Sequence, residues 1–267
     1  MTLVRSCGST LRFIGAYFVA NLQAAMEYRV AFGVQILVML GNDCLWLLFW
    51  WSYFQRFPLV NGWQQTDIVV IWAVSALAFG LGMAVCGNVP KMAQIVMTGG
   101  LDAYLGMPRN ALLHLCIAAT DPSAWGDVLF AIGAYLLLLH PGVLNLLIFL
   151  GSAVAGALIF ISFMVIVGSL AFFLGNTDGL GQQLLNALIT FSSYPMNLFT
   201  GGVRILLFTV LPAGFISFVP LQMLHHFTWP LLGALVGFTL LILLCAVGIF
   251  HLGLKRYESG NLLGMQN

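Results

Sequence analysis

Charged residues divide this chain into long apolar intervals, and the intervals outline its elements. There are 23 uncharged residues between Asp67 and Lys91, 50 between Asp127 and Asp178, 25 between Asp178 and Arg204, and 50 between Arg204 and Lys255. A helix crosses a bilayer with about 20 mostly apolar residues, so each interval is long enough. Between Arg29 and Arg56 only Asp43 interrupts, which predicts a first span at about Val30–Phe54. The second runs from about Ile68 to Gly87. Asp121, Pro122 and Ser123 read as an N-cap with proline at the first helical position, opening a third helix that runs to His140. Pro141 and Gly142 turn the chain into a fourth span, about Leu144–Leu174, where Gly151, Ser152, Ala155 and Gly156 admit a close neighbour. Asn176, Thr177, Asp178 and Gly179 end it, and a fifth helix starts near Gln182.

The stretch 195–229 is irregular. Pro195, Pro212, Gly214 and Pro220 exclude a continuous helix there, and a last span follows from about Pro230 to Leu254. It is either a broken re-entrant pair, giving six spans, or a seventh crossing. The excess of basic residues on the cytoplasmic side favours six. Arg5, Arg12, Arg29, Lys91, Arg109, Lys255 and Arg256 then share one side, against Arg56 and Arg204 on the other. Both termini are therefore expected in the cytoplasm and the broken segment at the outer surface, with Asn61 and Ser217 reachable from outside and Asp102 not. Before the first span, Leu11, Ile14, Phe18, Leu22 and Ala25 recur at helical spacing, so residues 1–29 should form an amphipathic helix along the inner interface.

Composition agrees with this outline. The chain is 61% hydrophobic and 6% charged, where soluble domains average about 45–50% and about 25%. The expected fold is all-α: a polytopic membrane protein forming one domain over residues 1–267. Alternating strands of an outer-membrane barrel are absent. A net charge of +1 excludes a nucleic-acid binder, which needs a basic stripe. Cys7, Cys44, Cys86, Cys116 and Cys245 stand singly and read as small core residues.

The candidate chemistry is sparse. A phosphate-binding P-loop needs GxxxxGK followed by Ser or Thr, and neither Lys91, after Pro90, nor Lys255, after Leu254, fits. No HExxH, no GxSxG and no Cys/His cluster is present, so no catalytic residue, metal or bound cofactor is expected. Adjacent His225 and His226 would point apart on a helix. Asp43, beside Asn42 in the first span, is costly in hydrocarbon and marks either a transport pathway or a polar tie to another helix. Ala76, Gly80 and Ala84 form a small-residue line on the second span, for packing within the chain or between two copies.

Residues 88–121, between the second and third spans, are longer and less polar than a plain connector. Lys91 and Arg109 bracket Gly99-Gly100-Leu101-Asp102-Ala103-Tyr104-Leu105-Gly106-Met107-Pro108-Arg109, a short helix between two turns that suits docking to a soluble partner. In the order of its parts the chain resembles the membrane subunits of ABC-2-type exporters. More closely it resembles a bacterial branch of about 260 residues whose loop reads roughly G-x-LD-x-x-L-x-x-P. That pattern falls here on Gly99 or Gly100, Leu101, Asp102, Leu105 and Pro108, with Gly106 where a larger residue is expected. Tyr194-Pro195, Leu211-Pro212 and Phe215 to Pro220 also resemble the outer segment of that branch.

The resemblance implies a permease of the bacterial inner membrane that dimerises with itself or with a second permease. A separate ABC ATPase would carry ATP and Mg and dock on a coupling helix, for which Lys91, Gln94, Gly100, Leu101, Asp102, Tyr104, Leu105, Pro108 and Arg109 are the candidate residues. Asn42, Asp43, Tyr194, Pro195, Arg204, Pro212, Phe215 and Pro220 are the candidates for pathway or packing, with Arg204 directed to headgroups or water. The leading expectation is an ATP-driven exporter. The alternatives are a carrier driven by an ion gradient through Asp43 and a noncatalytic membrane scaffold.

Overall fold

A computed structural model describes residues 2–60, 62–175 and 177–257, without the side chains of residues 2–7 and 178. Asn61, Asn176 and residues 258–267, which the expectations above include, lie outside the described residues. The first helix, α1 (Thr2–Ala25), passes through a 3-10 turn at Met26–Tyr28 into α2 (Arg29–Arg56). Helix α3 (Gln65–Cys86) opens with a capping box: the Gln64 backbone N–H donates to Asp67 Oδ2 at 2.9 Å, and the Gln64 side chain accepts from the Asp67 backbone. At its far end lie three short helices, α4 (Met92–Met97), α5 (Asp102–Leu105) and α6 (Ala111–Ile117). Then come α7 (Ala124–Leu139), α8 (Val143–Ser169) with its extension α9 (Ala171–Leu174), and α10 (Asp178–Ser192). Helices α11 (Gly201–Thr209) and α12 (Val219–His225) precede the last, α13 (Trp229–Leu254).

No strand occurs among the described residues, and the protein is an all-α polytopic membrane protein. By length and composition four stretches can cross a membrane: 8–56, 65–86, 143–174 and 229–254. The bent pair α11–α12 makes a fifth if its two halves form one span, and α7, with 16 residues, is a shorter apolar helix, so length and composition support fewer than the six expected spans among the described residues. Helix α11 and residues 214–225 meet at 78° across Pro212, the break anticipated there. Residues 214–218 are a π-helical turn that runs into α12, with Pro220 just past the junction.

Two helix starts differ from the expected ones. Helix α7 is α-helical from Ala124, but Asp121 Oδ1 accepts from the Ser123 N–H at 2.9 Å and from its hydroxyl at 2.8 Å, so the expected cap is made and opens a tight turn that leads into the helix. Helix α10 begins at Asp178, four residues before Gln182.

Helix α3 is the centre of the bundle, packed between α7 and α8, and 83% of its apolar stretch is buried. In lipid the drive for such packing is close contact rather than water exclusion, so small residues matter. A Cβ on Gly80 would lie 2.9 Å from the Ala124 carbonyl on α7, and one on Gly156 of α8 would lie 2.9 Å from the Ala78 Cβ. Ala76 and Ala84 are buried as well, so the small-residue line serves packing within the chain. Tyr135 and Phe149 stack across the α7–α8 turn at 3.8 Å, and Tyr135 donates to the Asn145 carbonyl at 3.1 Å.

Candidate functional site

Three places hold the residues singled out by sequence. The first is the short-helix segment at the foot of α3. Met92, at the start of α4, is fully buried, and a Cβ on Gly168 would lie 2.8 Å from its Cβ, so α4 is keyed to the end of α8. Leu101 is also fully buried. Asn88 donates to the Leu115 carbonyl at 2.9 Å and approaches the Tyr104 hydroxyl at 3.4 Å. Asp102 stands beside Tyr257, and burial, reinforced by that carboxylate, pushes the Tyr257 phenol up to about 12. Arg109 lies 4.7 Å above the Phe13 ring and donates to the Thr10 hydroxyl at 3.4 Å. Helix α1 grips α6 further on: the Tyr17 hydroxyl is 3.2 Å from His114 Nδ1, and Asn21 donates to the Ile117 carbonyl at 2.8 Å.

The candidate coupling residues therefore divide into two groups. Leu101, Asp102, Tyr104 and Arg109 turn inward and fix the segment to the bundle, to α1 and to the C-terminal end of α13. Lys91, Gln94, Gly100, Leu105 and Pro108 are exposed, as is Met107, a set of mixed apolar and polar character.

The second place is a partly enclosed cavity of about 300 Å³ between α2, α3, α7, α8 and α10. Asp43 lines it and is only 4% exposed. Its partner is another acid, since its carboxyl group lies against that of Asp127 on α7. Asn42, Ser75, Asp121 and Ser123 add polar atoms, while Trp46, Trp72, Phe79 and Phe160 form aromatic walls. Trp46 and Trp72 stack at 5.8 Å. Ser75 donates to the Ser192 carbonyl at 3.1 Å, whereas Asp43 Oδ2 and Trp72 Nε1 are buried with no hydrogen-bond partner. Sequence reasoning named Asn42 and Asp43 but missed Asp127. The signal was available, because Asp127 falls inside the third helix expected from Asp121 and is thus a second acid within a span.

The third place is the broken segment. Tyr194 and Pro195 line a smaller pocket of about 210 Å³ with Trp50, Trp63 and neighbouring aromatics, and Trp50 meets Tyr194 edge-on at 5.7 Å. Phe215 stacks on Phe238 of α13 at 3.9 Å, and Pro212 and Pro220 are buried. Arg204 is exposed, with its guanidinium 5.7 Å from the centre of the Phe218 ring. Ser217 is 1% exposed and donates to the Ala213 carbonyl at 3.3 Å, so the expectation that position 217 is reachable from solvent is wrong. The bent pair folds this residue inward against the bundle. His225 is spent on Asp67, 2.8 Å away, and among the described residues no His, Cys, Asp and Glu group has the arrangement of a metal site.

A family model described as ABC-2 family transporter protein matches residues 40–260 of this chain. No curated protein and no solved structure matches it. The matched stretch includes α3 to α13 and most of α2, so the chain belongs to the ABC-2 transporter family and is a multi-pass ABC transporter permease.

Proposed function

We propose that this ABC-2 permease is the membrane subunit of an exporter driven by a separate ABC ATPase, which docks on the exposed face of α4 and α5. One observation carries the reading: Gln94, Leu105, Met107 and Pro108 are exposed on a segment whose Met92 and Leu101 are fully buried, Met92 against Gly168 at the end of α8. A push on the segment would reach the spans through these buried contacts. ATP and Mg would sit on the partner, consistent with the missing P-loop. Coupling requires only that the ATPase bind one state of the permease more tightly than the other. In this reading the termini and α4–α6 are cytoplasmic, the membrane is a bacterial inner membrane, and the permease works as a dimer with itself or a second permease. The bent pair α11–α12 covers the outer exit.

The test is reconstitution with a candidate ABC ATPase. Leu105→Asp should abolish co-purification of the ATPase and permease-dependent ATP hydrolysis, while Asp102→Asn, on the inward side, should weaken coupling and leave docking intact. Full docking of Leu105→Asp would remove the assignment of the face. The pairing of Asp43 with Asp127 also favours a second reading, a carrier driven by protons. Transport that survives ATP depletion and stops when the proton gradient collapses would select it.

A further inference from the structure

We propose that the cavity between α2, α3, α7 and α10 binds an organic cation, its ammonium group held by Asp43 and Asp127 against the indoles of Trp46 and Trp72. This names a substrate class for the exporter reading and rests on that reading for the direction of movement.

The cavity wall is unbalanced in charge. Asp43, Asp121 and Asp127 line it, and among the described residues no Lys or Arg does. Charged groups within a membrane domain are normally matched by a partner, because an unmatched charge there is poorly tolerated. Asp43 is instead buried against a second acid, with Oδ2 left without a hydrogen-bond donor. Trp72, 9% exposed, lines the same cavity with its indole N–H unpaired. A protein rarely buries such groups idle; each lacks what a ligand with a positive charge and a polar acceptor would supply.

The aromatic walls narrow the class. Trp46 and Trp72 stack on one another, and indole is the best neutral side chain for attracting a cation to its face. An inorganic ion would be served by oxygen ligands alone and gain nothing from these walls. About 300 Å³ is at the small end of ligand sites, which fits a compact amine or quaternary ammonium and excludes a folded peptide or polysaccharide chain. The cavity is only partly enclosed: Trp46 in its wall is 41% exposed, and Asp121 and Ser123 are half-buried.

The experiment is equilibrium binding of radiolabelled tetramethyl-, tetraethyl- and tetrapropylammonium to the full-length permease in nanodiscs. At least one should bind saturably, and an equal concentration of the neutral alcohol 3,3-dimethylbutan-1-ol should not displace it. Asp43→Asn and Asp127→Asn, close in shape to the native residues, should each weaken binding roughly tenfold or more. Trp46→Leu, which alters an exposed ring and spares the acids, should weaken it by a smaller factor. Retained elution volume and melting temperature separate loss of the site from loss of the fold. Absence of saturable binding to all three ions overturns the proposal, as does binding that survives both Asn variants; either result would leave the acids as a proton site or a structural pair. No ATPase takes part, so a permease that binds ammonium but never recruits an ATPase would refute the exporter reading alone.

Discussion

Helices α2 and α3 are both apolar, both long enough to span, and neighbours in sequence, yet they are used in opposite ways. The apolar stretch of α3 is 83% buried, that of residues 8–56 only 6%. Side-chain volume separates them. Helix α3 carries Ala73, Ser75, Ala76, Ala78, Gly80, Gly82 and Ala84, which let α7 and α8 approach its backbone, while α2 carries Leu37, Leu45, Leu48, Phe49 and Trp51 on its open side. Lipid is as apolar as leucine, so hydropathy alone cannot distinguish a buried span from a bare one. Residue size can.

The contrast can be broken by adding volume. Gly126→Leu should have the largest effect, because a Cβ there would lie 2.6 Å from the Ile36 carbonyl and would pry α2 from α7. Gly80→Leu does the same between α3 and α7. Each should destabilise by about 3 kcal/mol, read as a lower melting temperature in detergent. Next, Asn88→Ala at the foot of α3 removes the donor to the Leu115 carbonyl and should cost about 1–2 kcal/mol, with faster hydrogen exchange across α6. Arg109→Ala loses its place over Phe13 and should cost about 0.5–1 kcal/mol, with α1 becoming more accessible to protease. The smallest change is expected on α2 itself. A Cβ on Gly33 or Gly41 meets nothing within 4 Å, so Leu at either position should alter stability by no more than about 0.5 kcal/mol. Size-exclusion of the same two variants shows whether the bare face meets a second permease, since a bulky side chain there would then lower the dimer fraction.

The fold was largely readable because charge is so rare that its spacing marks the spans, and because Pro212 and Pro220 announce the bent pair. The N-terminal helix was readable from Leu11, Ile14 and Phe18, which recur at helical spacing. Helix boundaries were less so: Asp121 caps a tight turn, and the α-helix proper begins only at Ala124, while α10 begins four residues before Gln182. The segment between α3 and α7 was visible as a composition, while the inward turn of Asp102 and Arg109 depends on Tyr257 and Phe13, residues far away in sequence. The pairing of Asp43 with Asp127 is likewise set by how α2 rotates against Gly126, a contact that no local pattern encodes. Ser217 failed for the same reason, since exposure on a bent helix depends on the surface it folds against.

Helix length has a last consequence. With 16 and 15 residues at about 1.5 Å each, α7 and α10 measure about 24 and about 22 Å, well short of a hydrocarbon layer of about 30 Å. The chain before α7 makes up part of the gap by rising beside α3, where the Asp121 N–H bonds the Met83 carbonyl at 3.1 Å and Thr120 bonds the Ala84 carbonyl at 2.7 Å. Where helices this short cross, a bilayer thins to meet them, bringing headgroups and water closer to the midplane. A molecule moving between the aqueous phase and the acid-lined cavity would therefore cross less oil on this side than on any other.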